Sequence, residues 1–203
     1  MHLKNEYRKE TIIQKSRFIT CVTYATTPEE AKDYIDYIRQ EFQDATHVCT
    51  AYIVGKNDAY QKSNDNHEPA GTAGIPILEA IRQAGLSNTV CCVVRYFGGI
   101  KLGAGGLIRA YGGCTSAALK EAYKVDDVII DTWHASYPYE YVGGVENWIR
   151  TYTSDFTFTY DDQAHCDFAY ESVDLESTLM DLTKGNLELK KTGTTIHEVP
   201  VTD

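Results

Sequence analysis

Two groups of residues carry side chains able to do chemistry. The first is His47 with Asp65, His67 and Glu68, the last three inside the polar run SNDNHEPAGTAG at 63–74. An imidazole beside a carboxylate can serve general acid–base catalysis or ligate a metal. On that reading His47 and Glu68 serve a small hydrolase, Asp65 orients them, and the side chains must converge within hydrogen-bond reach. The plainer reading has His47 orienting a strand end while the loop carboxylates bond the loop's own amides. The group lacks a serine in a nucleophile elbow and a second histidine at metal-ligand spacing. The plainer reading is therefore preferred, and no catalytic residue, metal or cofactor is assigned.

The second group is RYFGGIKLGAGGLIRAYGG, residues 95–113, with seven glycines in nineteen positions and Arg95, Lys101 and Arg109 spaced through them. Glycine reaches positive φ and lets backbone come close to backbone or ligand. Free amides at a helix start favour an anion. The spacing is neither GxxxxGK[ST] nor, with Ile108 at the third glycine position, a dinucleotide fingerprint. Gly98, Gly99 and Gly103 therefore read first as a strand-to-helix turn. Gly112 and Gly113 fall inside the following helix, where each costs about 1 kcal/mol relative to alanine, offset by close packing of that helix on a sheet. No fold requires the cations, so Arg95, Lys101 and Arg109 are the binding candidates. Tyr96 and Tyr111, beside two of them, are the tyrosines placed to stack a base.

These groups sit in a chain of 203 residues whose net charge of −10 is unevenly distributed. Residues 1–130 hold 15 basic and 15 acidic side chains, and residues 131–203 hold 4 and 14. Residues 82–124 carry six Lys or Arg against Glu121 alone, so the glycine-rich stretch lies in a basic island. The acidic last third repels a nucleic-acid backbone, so phosphate contacts must come from the first unit. The six cysteines form no CxxC pair and read as reduced core thiols. With no membrane-length apolar run and no signal-peptide core in MHLKNEYRKE, the expected location is cytoplasmic.

The elements that must position these residues follow from local pattern. EYRKETIIQKSRFITCVTYA reads as a polar lead-in to a strand. Thr27-Pro28-Glu29-Glu30 opens an amphipathic helix over 28–43 as a capping box with proline at its first position. HVCTAYIVG is a strand, KNDAYQ a turn, 63–74 a loop, and roughly 75–85 a helix ending at Gly85. TVCCVVRYF is apolar on both parities, the pattern of a central strand, with Cys91 and Cys92 on opposite faces. A helix then runs to about 123. After VDDVII the order is strand, helix, hairpin, helix, strand, which is βαββαβ. Tyr52, Tyr137, Tyr139 and Tyr170 are placed in strands. The domain boundary falls near 130, giving an α+β chain of units 1–130 and 131–203.

With these residues in view, the chain resembles the IMPACT family and, within it, the bacterial YigZ-type members. VVRYFGGIKLGAGGLIRAYGG is close to the family signature, and ATHVCTAYIVG, HEPAGTAGIPIL and KSRFI match its other blocks. The family loop usually reads close to DDGEPSGTAG. Here Asn66 replaces an acid, His67 a glycine and Ala70 a serine, while Asp65, Glu68 and Thr72 match, as do Arg95, Lys101 and Arg109. The resemblance implies a first domain like the second domain of small-subunit ribosomal protein five. It implies a ferredoxin-like second domain similar to one near the end of elongation factor G. Eukaryotic relatives act in translational control through a further domain, so their mechanism is not carried over. The expectation is a non-enzymatic, translation-associated factor with RNA, the ribosome or a protein of that apparatus as partner. Arg95, Lys101, Arg109, Thr72, Gly98, Gly99 and Gly103 would form its contact surface. The oligomeric state is left open.

Overall fold

The computed structural model describes residues 1–201, in two compact units: Met1–Asp126 with Pro200 and Val201, and Asp127–Val199. Strand β7 (Lys124–Tyr137) carries the chain from one to the other and contains neither glycine nor proline. No turn marks the crossing, and the division falls a few residues before the expected 130.

In the first unit the order is β1 (His2–Leu3), β2 (Tyr7–Ile13), β3 (Ser16–Tyr24), α1 (Pro28–Glu41), β4 (His47–Val54), β5 (Tyr60–Asn64), α2 (Gly74–Gln83), β6 (Thr89–Tyr96) and α3 (Gly103–Glu121). Five of these strands form a sheet in the order β2-β3-β6-β4-β5, every neighbouring pair antiparallel. β6 is central, as its two apolar parities predict. Cys91 and Val93 face α2 and α3 with Phe18, Cys49, Ile77, Leu107 and Tyr111. Cys92 and Val94 face α1 with Ala31, Ile35 and Ile38. All six cysteines are buried free thiols; burial pushes Cys49 up to about 12, so it stays a neutral core residue at physiological pH.

Three local expectations need correction. The segment read as lead-in plus strand is a hairpin, β2 to β3, whose turn residues Gln14 and Lys15 have φ of 43° and 67°. Tight hairpin turns want Asn or Gly there, so Gln-Lys gave no signal. Residues 60–64, read as turn and loop, form the edge strand β5, polar because an edge strand needs little apolar surface. Gly112 lies against Pro76 of α2 rather than the sheet, and a side chain at Gly113 would meet nothing within 4 Å. Close packing on the sheet therefore does not explain that pair. At α1 the Glu30 amide donates to Thr27 Oγ1 as a capping box requires, and the Glu30 carboxylate takes its main hydrogen bonds from the amide and hydroxyl of Thr26.

The second unit runs β7, α4 (Val142–Tyr152), β8 (Phe156–Tyr160), β9 (Ala164–Ala169), α5 (Leu175–Leu182) and β10 (Glu188–Pro200). This is the βαββαβ order, with strands arranged β10-β7-β9-β8. Tyr137, Val145, Ile149, Phe168, Leu175 and Leu179 form its core. Tyr139 sits in a single 3₁₀ turn and Tyr170 follows the end of β9, so neither lies in a strand as expected. Among the described residues no helix is long and apolar enough to cross a membrane.

Candidate functional site

Strand parity decides the fate of Arg95. It shares a face of β6 with Cys91 and Val93, so its side chain points at α3 from the last buried position of a central strand. Across the sheet its partners are His47 on β4 and Phe18 on β3. Its Nη1 donates to Glu68 Oε1 at 2.6 Å, with the two side chains only 5% and 4% exposed. Phe18 and Phe97 flank the guanidinium at 5.4 and 5.6 Å, within cation–π range. The Tyr111 hydroxyl donates to the same Glu68 oxygen at 2.7 Å. Burial raises Tyr111 well above the ordinary phenol range, keeping it a neutral donor. Arg95 is therefore an internal cation answered by an internal acid. It does not belong to an outward patch, and Tyr111, fully buried, stacks no base. Tyr96 is engaged too, donating to Asp44 with Arg17 over its ring at 5.3 Å.

His47 joins this group from β4. Its Nδ1 donates to the Asn66 carbonyl at 2.8 Å, which leaves Nε2 as the free nitrogen, 3.8 Å from Glu68 Oε1. That distance is ion-pair range and too long for a hydrogen bond. Asp65 is elsewhere engaged. Its carboxylate accepts from the amides of Gly71, Ala73 and Gly74 at 2.8–3.0 Å, closing the loop onto the start of α2. Burial disfavours its charge, but the Gly71, Gly74 and Ala73 amides outweigh burial and hold the carboxyl below its usual range. The anion site at the α2 terminus is thus filled from within. Thr72 turns its hydroxyl to the Pro69 carbonyl at 2.6 Å and is buried, and His67 is exposed. His47 and Glu68 approach only to 3.8 Å, short of hydrogen-bond reach, and Asp65 does not orient them.

The glycine loop from β6 to α3 is shaped by one close approach. A Cβ on Gly98 would lie 2.0 Å from the Lys15 carbonyl group, so the β2–β3 turn sits directly on this loop. The Gly98 amide also donates to Ser16 Oγ at 3.2 Å. Gly99 and Gly103 adopt φ of 86° and 69°, with open space where a side chain would be. Their glycine serves conformation, not contact.

Lys101 and Arg109 behave differently from Arg95. Both are exposed, and neither has an ion-pair or hydrogen-bond partner among the described residues. Lys101 borders a cavity of about 340 Å³ that is also lined by Glu68, Arg95, Phe97, Gly103 and Leu107. Arg109 borders a second hollow of about 260 Å³ with Gln14, Gly106 and Ala110, and Leu102 is common to both. The Arg109 guanidinium lies 3.5 Å from where a Cβ on Gly105 would be, beside the first turn of α3. That turn has no side-chain cap hydrogen bond at Leu102, and a helix's first amides lack intrahelical partners. Lys15, exposed in the turn seated on Gly98, adds a third cation without a partner among the described residues. The sequence reading missed it because it lies far from the glycine block. A larger cleft of about 430 Å³ lies between α1 and β4–β5, remote from these groups, and mixes Lys32, Arg39 and Lys62 with Glu29 and Asp36.

Residues 14–119, which contain every group described above, match the Impact N-terminal domain. The chain belongs to the IMPACT family. It is 45% identical over 148 residues to IMPACT family member YvyE of Bacillus subtilis, covering 73% of this chain and 68% of that one. It is 44% identical to IMPACT family member YigZ of Escherichia coli over 111 residues, spanning 54% of each chain. A crystal structure of a hypothetical protein, 30% identical, superposes with a TM-score of 0.59 over 93% of this chain and 94% of that one. The matched domain begins at Gln14 of the β2–β3 turn, so Lys15, Glu68, Arg95, Lys101 and Arg109 all fall inside the IMPACT domain.

Proposed function

We propose that this IMPACT family member is a cytoplasmic, non-catalytic factor of the translation apparatus that holds single-stranded RNA by its phosphates. The contact is the corner formed by Lys15, Lys101, Arg109 and the first turn of α3. One observation carries this reading. Arg8, Arg17, Arg39, Arg82, Arg95 and Arg150 each pair with an acid, whereas Arg109 is unpaired among the described residues and shares its corner with unpaired Lys15 and Lys101. Unpaired cations beside an uncapped helix start suit a phosphate backbone, because each contact neutralises one charge and releases a counterion. The buried Arg95–Glu68 pair contributes rigidity behind the corner. The resemblance of the first unit to a domain of ribosomal protein five, and of the second to a domain of elongation factor G, supports a ribosomal setting by fold analogy only. The test is binding of a labelled RNA oligonucleotide and of purified ribosomes by wild type and by Lys101→Glu/Arg109→Glu. Loss in the variant with the fold intact supports the reading. Equal binding by both, or binding to an acidic polypeptide and not to RNA, overturns it.

A second reading draws on the 3.8 Å approach of His47 Nε2 to Glu68. With Nδ1 fixed on Asn66, His47 presents Nε2 as a base toward the Glu68 carboxylate, and water would be the nucleophile of a small hydrolase. Glu68 Oε1 already accepts from Arg95 and Tyr111 and is committed to those two donors. Ester or phosphoester turnover by the purified protein that His47→Gln abolishes would establish this reading over the first.

A further inference from the structure

The second unit contains a hydrogen-bonded chain that the reading above does not use. Cross-strand register in β7 and β9 sets His134 opposite Asp167 and Ser136 opposite His165, all on one face. His134 Nδ1 lies 2.8 Å from Asp167 Oδ1, and its Nε2 lies 3.3 Å from Ser136 Oγ. On the other side, His165 Nδ1 lies 2.9 Å from the same hydroxyl, and its Nε2 lies 2.9 Å from Asp161 Oδ1. The two rings are stacked with centroids 5.5 Å apart and planes 26° from parallel.

Proton counting with neutral rings leaves one acceptor unmatched, which either a proton on one ring or a bound cation would answer. Four hydrogen bonds link Asp161, His165, Ser136, His134 and Asp167. With both imidazoles neutral the chain holds three protons, one per ring and one on the hydroxyl. Each carboxylate accepts only, so each ring's proton belongs on the nitrogen facing its aspartate. Two ring lone pairs then meet at Ser136, whose single proton can satisfy one of them.

We propose that His134 Nε2 and His165 Nδ1 bind a divalent transition-metal ion, Zn²⁺ being the type, with Ser136 Oγ as a neighbouring oxygen donor. Imidazole nitrogen suits zinc. A ligating histidine characteristically donates its other ring N–H to a carboxylate, which fixes tautomer and orientation, and both rings here have that arrangement. The geometry that carries the site is a carboxylate behind each ring and the two remaining ring nitrogens 3.3 and 2.9 Å from one hydroxyl oxygen, where an ion would take the place of a proton on one ring. The ion also ties β7 to β9 within the second unit. The thiols do not compete, since all six cysteines are buried. A rival donor set that shares His165 is Asp161, Asp162 and His165, which would use the opposite nitrogen of that ring.

The test is a calorimetric titration of the full chain with Zn²⁺, joined to NMR of the histidine ring nitrogens in the unmutated protein. One ion per chain is expected, shifting His134 Nε2 and His165 Nδ1. His134→Gln/His165→Gln, with folding checked by circular dichroism, should lose that binding, and Asp167→Asn should weaken it by about 10–100-fold as an orienting carboxylate. Asp162→Asn should leave it unchanged. Absence of binding, retention of it in the double-histidine variant, a shift of His165 Nε2 in place of Nδ1, or loss in Asp162→Asn each overturns the proposal.

Discussion

Replacing Arg95 by methionine separates the internal cation from the external ones. The change keeps an unbranched apolar stem between Phe18 and Phe97 but removes the group that answers Glu68. Glu68, 4% exposed, is left with the Tyr111 hydroxyl as hydrogen-bond donor and with His47 Nε2 at 3.8 Å. Breaking one side of so buried a pair costs about 3–5 kcal/mol. Arg95→Met/Glu68→Met removes the stranded charge, and its main residual cost is the orphaned Tyr111 hydroxyl, about 1–3 kcal/mol. The double variant should therefore be about 2 kcal/mol more stable than the Arg95 single variant, so the Arg95 and Glu68 changes are far from additive. Both tryptophans, Trp133 and Trp148, lie in the second unit, so tryptophan fluorescence reports on that unit and not directly on the surroundings of Arg95. Urea unfolding should be followed by far-ultraviolet circular dichroism, with fluorescence as the control. RNA affinity, measured where Arg95→Met is folded, should equal that of wild type. A loss of stability below about 1 kcal/mol, or additive single and double variants, would refute the buried-pair reasoning. Loss of RNA affinity in the folded variant would return Arg95 to the contact surface.

Further outcomes follow from the same geometry. Lys15→Gly should stabilise the first unit by about 0.5–1 kcal/mol, because φ is 67° there, while weakening RNA binding; chemical unfolding and anisotropy read the opposite signs. Gly98→Ala should cost about 2–3 kcal/mol or prevent folding, since its Cβ meets the Lys15 backbone at 2.0 Å and cannot be relieved by a side-chain rotation. Asp65→Asn should cost about 1–3 kcal/mol at pH 7 by replacing a carboxylate that holds three amides. The Asp65 carboxyl is depressed in the fold, so its contribution is complete above about pH 4 and is lost as pH falls further. The gap between wild type and Asp65→Asn should therefore close on acidification.

Much of the fold was legible because periodicity reports burial. TVCCVVRYF is apolar on both parities and is the central strand, and Thr27-Pro28 opened α1 where expected. The β2–β3 turn was hidden because Gln14-Lys15 takes a left-handed geometry without the residues that advertise it. β5 was hidden because YQKSN carries no apolar alternation. At the site, residue type was visible but partnership was not. Arg95 shares parity with Cys91 and Val93 on a strand read as buried on both faces, and that alone could have marked it as internal. Nothing local tells a lone arginine that its acid lies 27 residues earlier in a loop. Lys15 joins the corner only through tertiary contact with Gly98.

The most direct measurement is the salt dependence of RNA binding. Three phosphate contacts on a single strand give a slope of about −2 for log K against log salt concentration. Lys101→Glu/Arg109→Glu should flatten that slope and lower affinity on the order of tenfold or more at low salt. Affinity that does not change with salt, or a slope that the double variant leaves intact, would contradict a phosphate-binding corner at Lys15, Lys101 and Arg109.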